Sequence, residues 1–99
     1  MNLVAVTACP TGVAHTYMAK VALEKEAKKL GHTIKVETQG AIGIENGLTQ
    51  KEIEEADGII LAIEMNILKA ERFKGKKVLK ISVSKALKNP EDAIEKALA

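Results

Sequence analysis

The 99-residue sequence predicts an α/β fold, a three-layer αβα sandwich built on a four-stranded parallel sheet. Three observations carry that expectation. Strand-like runs at residues 2–8, 33–38, 58–63 and 77–83 alternate with helical patterns, the arrangement of successive βαβ units. The first and third runs, Leu3 to Ala8 and Ile59 to Ile63, are continuously apolar, as strands are when helices cover both faces of a sheet. The second alternates and the fourth carries a central Lys80, so both read as edges. Right-handed crossovers then give strand order 2-1-3-4.

The elements follow from local signals. Strand 1 breaks at Cys9-Pro10-Thr11-Gly12, and helix 1 runs from about Val13 to Leu30, closed by Gly31 in a left-handed cap. On a helical wheel Ala19, Leu23, Ala27 and Leu30 form the sheet-facing stripe. Ala14, Tyr17, Met18 and Val21 form a second stripe that needs a cover, either a neighbouring loop or a partner protein docked beside Cys9 on Tyr17, Met18 and Val21. Leu48-Thr49-Gln50-Lys51-Glu52-Ile53 fits a capping box with a Leu48–Ile53 staple. The basic run Lys69 to Lys77 reads as solvated surface, with a docking role for acidic partner groups as the alternative. Asn89 as cap and Pro90 at the first helical position start the last helix.

Composition narrows the function. Residues 1–99 suit one domain, and 46% hydrophobic residues supply a modest core without staples. A single Cys excludes an intramolecular disulfide, and one Cys with two His cannot furnish a usual structural zinc site, so no metal and a reducing, cytoplasmic setting are expected. No apolar stretch approaches the ~20 residues of a membrane span, which argues against membrane insertion. A net charge of +2, one Tyr, one Phe and no Trp argue against nucleic acid.

The chemistry concentrates in Cys9 to Thr16. The order 2-1-3-4 reverses direction between strands 1 and 3, and open α/β sheets bind ligands at that switch point, beyond the carboxyl ends of the strands. A thiol there faces unpaired N–H groups and the positive end of a helix dipole, both of which favour anions. Successive N–H groups from Thr11 through Gly12, Val13, Ala14 and His15 to Thr16 can cradle an oxyanion of phosphate size around a Cys9 nucleophile. Gly12 allows close approach, Pro10 fixes the exit from the strand, and Thr11, His15 and Thr16 add side-chain donors. Gln39 and Gly40, ending strand 2, and Glu64, ending strand 3, border this site, although Gln39 reads equally well as a turn residue. No cofactor is required.

The spacing Cys9-x5-His15-Thr16 resembles the Cys-x5-Arg-Ser/Thr loop of protein tyrosine phosphatases, and the expected sheet resembles Rossmann-like and small tyrosine phosphatase-like folds. His15 stands where those enzymes have arginine, the strongest clamp for a phosphoryl group, which argues against efficient hydrolysis. The whole stretch from Thr7 to Ala19 resembles more closely the signature of the fructose-type IIB component of the bacterial sugar phosphotransferase system. That likeness continues through Val36-Glu37-Thr38-Gln39-Gly40, Gly43-Ile44-Glu45-Asn46 and Arg72-Phe73. The resemblance implies a phosphotransferase domain whose Cys9 accepts a phosphoryl group from a phosphohistidine on a IIA protein. It implies onward transfer to a sugar, fructose by family, held by a membrane-embedded IIC transporter. A phosphatase-like hydrolase and a regulatory phosphoryl-carrying module are the alternative readings.

Overall fold

The computed structural model describes residues 1–10, 13–40 and 43–99. Its elements are β1 Asn2–Ala8, α1 Val13–Lys29, β2 Thr33–Gly40, β3 Gly43–Glu45, α2 Gln50–Glu55, β4 Gly58–Ile63, a 3-10 turn Ala70–Phe73, β5 Leu79–Ile81, α3 Val83–Lys88 and α4 Pro90–Leu98. The sheet order is β3-β2-β1-β4-β5. β1 pairs in parallel with β2 and β4, and β4 in parallel with β5. β3 runs antiparallel to β2.

The α/β sandwich and the relative order of the four expected strands hold, but the sheet is mixed and has five strands rather than four parallel ones. The extra strand escapes a periodicity reading because three residues are too few to show alternation. It changes the status of β2, which lies inside the sheet instead of at its edge. Glu37, Thr38 and Gln39 are accordingly buried. The fourth expected strand shrinks from 77–83 to Leu79–Ile81. Ser82 leaves it to cap α3, its hydroxyl accepting from Lys85 N at 3.1 Å. The helix α3 was not apparent in the sequence, where Ile81-Ser82-Val83 looks extended.

Two apolar clusters cover the two faces of the sheet. Leu3, Ala5, Ile60 and Ala62 meet Ala19, Leu23 and Ala27 of α1, Val83 and Ala86 of α3 and Ile94 of α4. Val4, Val6, Ile59 and Leu61 meet Leu48, Ile53 and Phe73. The strict alternation of faces along β1 and β4 is the period of two of an extended chain. Helix α1 ends in a Schellman motif, with His32 N donating to Ala27 O at 2.8 Å, Gly31 N to Lys28 O at 3.1 Å, and Gly31 at φ 82°. The capping box of Thr49 and Glu52 is present, with Leu48 and Ile53 buried together. Pro90 opens α4 as expected, but the Asn89 side chain makes no cap bond. Asn89 also closes α3, its N–H donating to Lys85 O at 2.9 Å, and that double duty sets its backbone at φ −140° and ψ 60°. No helix among the described residues is long and apolar enough to cross a membrane.

Candidate functional site

Cys9 follows directly on the last residue of β1, the central strand of the sheet. In register, Ala8 lies between Gln39 of β2 and Ile63 of β4, so the ends of three parallel strands meet at one level. Glu64 N extends the ladder one step by donating to Ala8 O at 2.9 Å. Cys9 itself is 7% exposed and belongs to the cluster beneath α1. This is the switch point that the strand order implied, since β2 lies on one side of β1 and β4 on the other. Pro10 is exposed in the turn that follows. Thr11 and Gly12 lie outside the described residues, so the expected cradle is described only from the start of α1 at Val13.

The first turns of α1 are tied to the strand that bears the cysteine. Thr7, wholly buried, donates through Oγ1 to Thr16 O at 3.2 Å, fixing the helix start against the end of β1. Thr16 is 3% exposed, yet among the described residues its Oγ1 has no hydrogen-bond partner. A buried hydroxyl left without a partner is costly, about 1–3 kcal/mol. Thr16 lines a narrow cleft together with Thr38, Gln39, Gly40 and Gly43, beside which Tyr17 Oη donates to Glu45 Oε1 at 3.1 Å. That bond to Glu45 holds the phenol above its usual pKa of 10.0, because ionisation would set two negative charges together. Ala14 and His15 are exposed on the same turn.

The three expected border residues divide in role. Gln39 is a clamp: its Nε2 donates to Leu68 O at 3.0 Å and to Glu37 Oε2 at 2.6 Å, while its Oε1 accepts from Leu68 N at 2.7 Å. Both ends of its amide are thereby committed to holding the segment after β4 against the end of β2. Glu64 is exposed, and its Oε2 accepts from Val83 N at 3.0 Å, so it caps α3 across the top of the sheet. Gly40 is the last residue of β2 and is exposed.

Two further residues supporting the site, Glu37 and Arg72, were given no role by the sequence reading. Glu37, with no exposed surface, takes a fork of two bonds from Arg72, Nη1 to Oε1 at 2.8 Å and Nη2 to Oε2 at 2.9 Å. Leu48 N adds a third bond to Oε1 at 2.8 Å. Burial pushes the Glu37 carboxyl up, but the donors from Arg72, Gln39 and Leu48 outweigh it and hold the group below its ordinary 4.5. Arg72 also donates to Leu48 O and Lys69 O, both at 2.8 Å. The latter contact steadies Lys69 in a left-handed backbone at φ 59°. The run Lys69 to Lys77 is therefore not uniformly solvated surface: Arg72 within it is an internal fastener.

Among the described residues nothing covers the second stripe of α1. Tyr17, Met18 and Val21 are 41%, 51% and 41% exposed, and they line an apolar groove with Ala22, Lys25 and Leu87. It runs along α1 from Tyr17 to Lys25.

Fold and site together define a small α/β domain with one cysteine where its central strand passes to a helix. Residues 4–96 match the family described as PTS system, lactose/cellobiose-specific IIB subunit, and the chain belongs to that family. Its relatives are of the fructose type. It is 49% identical over 95 residues to the PTS system fructose-like EIIB component 2 of Escherichia coli (strain K12), covering 96% of this chain and 90% of that protein. It is 52% identical over 97 residues to the PTS system fructose-specific EIIABC component of Bacillus subtilis (strain 168). That match covers 98% of this chain but only 15% of the larger relative, so the chain corresponds to one part of it. Among solved structures, a domain of the fructose-specific IIABC component from Borrelia burgdorferi superposes with a TM-score of 0.91 at 54% identity, covering 98% of this chain and 92% of that one.

Proposed function

We propose that residues 1–99 form one IIB domain acting at the cytoplasmic face of the membrane, where Cys9 carries a phosphoryl group from a IIA protein to a sugar held by a membrane-embedded IIC transporter. The observation that carries this reading is the position of Cys9, at the end of the central strand and ahead of α1, with strand ends on both sides. The names of multi-component relatives, EIIABC and EIIBC, support partners of the A and C kinds. Relatives named for fructose support that sugar.

In the first transfer Cys9 Sγ attacks phosphorus in line. The S–P bond forms as the N–P bond of the phosphohistidine breaks, and the electron pair returns to the imidazole nitrogen. N–H groups of Thr11 to Thr16 and the start of α1 receive the charge on the equatorial oxygens. The Thr16 hydroxyl, without a partner among the described residues, is a donor in reserve for the loaded state. In the second transfer a sugar hydroxyl oxygen attacks phosphorus, the S–P bond breaks with its pair returning to Sγ, and the hydroxyl proton passes to solvent. His15, lacking the bidentate fork of an arginine, leaves the phosphocysteine to a positioned acceptor rather than to rapid hydrolysis. The groove of Tyr17, Met18 and Val21 serves as docking surface for the protein partners.

Incubation with a phosphorylated IIA protein, followed by mass-spectrometric location of the adduct, tests the reading. Phosphate on Cys9, lost in Cys9→Ser, is expected; phosphate on His15, or transfer retained by Cys9→Ser, overturns it.

A further inference from the structure

Residues 64–68, which leave β4, form a strap across the end of the strand that leads to the cysteine. At one end of the strap Glu64 N donates to Ala8 O at 2.9 Å. At the other, Leu68 is held by the side chain of Gln39, the residue of β2 in register with Ala8. Because β1 stands between β4 and β2, the strap passes from one flank of the central strand to the other at the level of the residue before Cys9. It lies on the face opposite α1. Ile67 packs with the cluster of Leu48, Ile53 and Phe73, whereas Cys9 belongs to the cluster beneath α1.

The strap is fastened more firmly than its exposure requires. Gln39, 4% exposed, commits both ends of its amide to the backbone of Leu68, accepting from N at 2.7 Å and donating to O at 3.0 Å. Its Nε2 also donates to Glu37 Oε2, which sets the direction of the amide, and Arg72 Nε donates to Lys69 O just beyond the strap. At the other end Glu64 Oε2 accepts from Val83 N at 3.0 Å. The backbone of an exposed turn finds water at little cost, so folding alone does not call for these bonds. What they hold outward is apolar. Met65 is 40% and Leu68 63% exposed. Side chains carried on a fastened backbone are ordered before a partner arrives, which lowers the entropy cost of binding. A sugar calls for polar groups at such a place, whereas Met and Leu suit an apolar area of a protein surface.

On the basis of the phosphoryl-carrier function proposed above, we propose that Gln39 is a positioning residue for phosphoryl uptake: by clamping Leu68 it holds Met65 and Leu68 against the surface of the phosphorylated IIA protein. The phosphorus of a phosphohistidine is bonded to an imidazole one methylene from the donor's own backbone. In-line attack by Sγ of Cys9, 7% exposed, therefore brings the donor's surface onto the residues flanking the end of β1. The sugar is a separate molecule, and it stands between Cys9 and the IIC transporter, which keeps that partner farther from the strap.

Single-turnover phosphorylation of Cys9, followed over a range of concentrations of a phosphorylated fructose-type IIA protein, tests the proposal. Met65→Ala and Leu68→Ala are each expected to raise the half-saturating donor concentration about 5-fold, with the plateau rate within about 2-fold of wild type. Gln39→Met keeps the side-chain length and removes all three amide bonds, and is expected to raise that concentration roughly 5–10-fold. In a chain already carrying Met65→Ala and Leu68→Ala, Gln39→Met should add no more than about 2-fold, because the clamp acts through the strap. A merely structural role for Gln39 lowers the thermal midpoint and the fraction of competent protein without moving the half-saturating concentration. If Gln39→Met does not fold, the two exposed-residue variants decide. An unmoved half-saturating concentration in both of them, or a full additional loss from Gln39→Met in the double variant, overturns the proposal while leaving Cys9 as the carrier. Slower onward transfer to a sugar with donor affinity unchanged also overturns it, since the strap then meets the acceptor side. Absence of phosphate from wild-type Cys9 overturns the carrier function itself.

Discussion

Replacing Arg72 by Met should destabilise the domain by about 3 kcal/mol at neutral pH, with a loss that shrinks in acid. The substitution keeps the aliphatic volume and removes four donated bonds: two to Glu37, one to Leu48 O and one to Lys69 O. Lys69 is exposed, and its carbonyl turns to water at little cost. Glu37 cannot do so, because it has no exposed surface and keeps only Gln39 Nε2 and Leu48 N as donors. Breaking a buried pair on one side costs about 3–5 kcal/mol, and the Arg72 side chain is 11% exposed, so some water reaches the vacated space and the lower figure applies. In the wild type, the carboxyl sits below its ordinary 4.5, so its contribution to stability is present above that value and is lost as pH falls through the lower folded pKa. Without Arg72 the burial that raises the carboxyl's pKa loses its main opponent. The group then takes up a proton on folding, which favours the variant's folded state as pH falls, while the wild type loses its advantage. Urea unfolding of both proteins from pH 8 to pH 4 measures the gap. A difference below about 1 kcal/mol at pH 7, or one that widens in acid, refutes a fully charged buried pair; Glu37→Gln combined with Arg72→Met should recover much of the loss.

Thr16→Val should leave stability within about 1 kcal/mol of wild type, since among the described residues Oγ1 has no partner to lose and the bond from Thr7 uses the backbone carbonyl. The same change should slow phosphoryl uptake at Cys9 by roughly 10-fold or more, the worth of one hydrogen bond to a charged group; a rate equal to wild type in single-turnover transfer removes Thr16 from the cradle. Gly58→Ala is expected to cost about 1–3 kcal/mol, because the new Cβ would stand 2.9 Å from Ala97 O, part of the α4 backbone, and 2.9 Å from Leu3 Cδ2. Thermal unfolding reads it, and an unchanged midpoint shows that α4 can shift at no cost.

The parts of the fold legible in the sequence are those whose cause is local. β1 and β4 announce themselves as apolar runs because both their faces are covered, and the sequence Pro10-Thr11-Gly12 marks the end of β1, on whose last residue Cys9 directly follows. The box on Thr49 and Glu52 spans three residues and can be read without knowing what surrounds it. β3 and α3 were missed for the opposite reason: one is too short for a period, and the other begins at a cap, Ser82, embedded in residues that also suit a strand. Gln39 lay open between turn and contact because its partner Leu68 is 29 residues away and contributes only its backbone.

The period of two holds in β2, and a charge alternating with Val36 and Thr38 looks like a side chain turned to water, but the face that Glu37 takes is covered. Its burial depends on Arg72, 35 residues on, and no local pattern encodes that distance. A compositional signal did exist. The chain has one Arg among fifteen basic residues, and where Lys serves every surface position a single Arg points to a task that Lys does poorly. Here that task is a planar fork which satisfies both oxygens of a buried carboxylate while its remaining donors reach Leu48 O and Lys69 O. The fork holds together the end of β2, the entry to α2 and the turn before β5, and Gln39 joins the same carboxylate to the segment after β4. The strand ends beside Cys9 are therefore braced by a charge that the alternation of β2 had assigned to solvent.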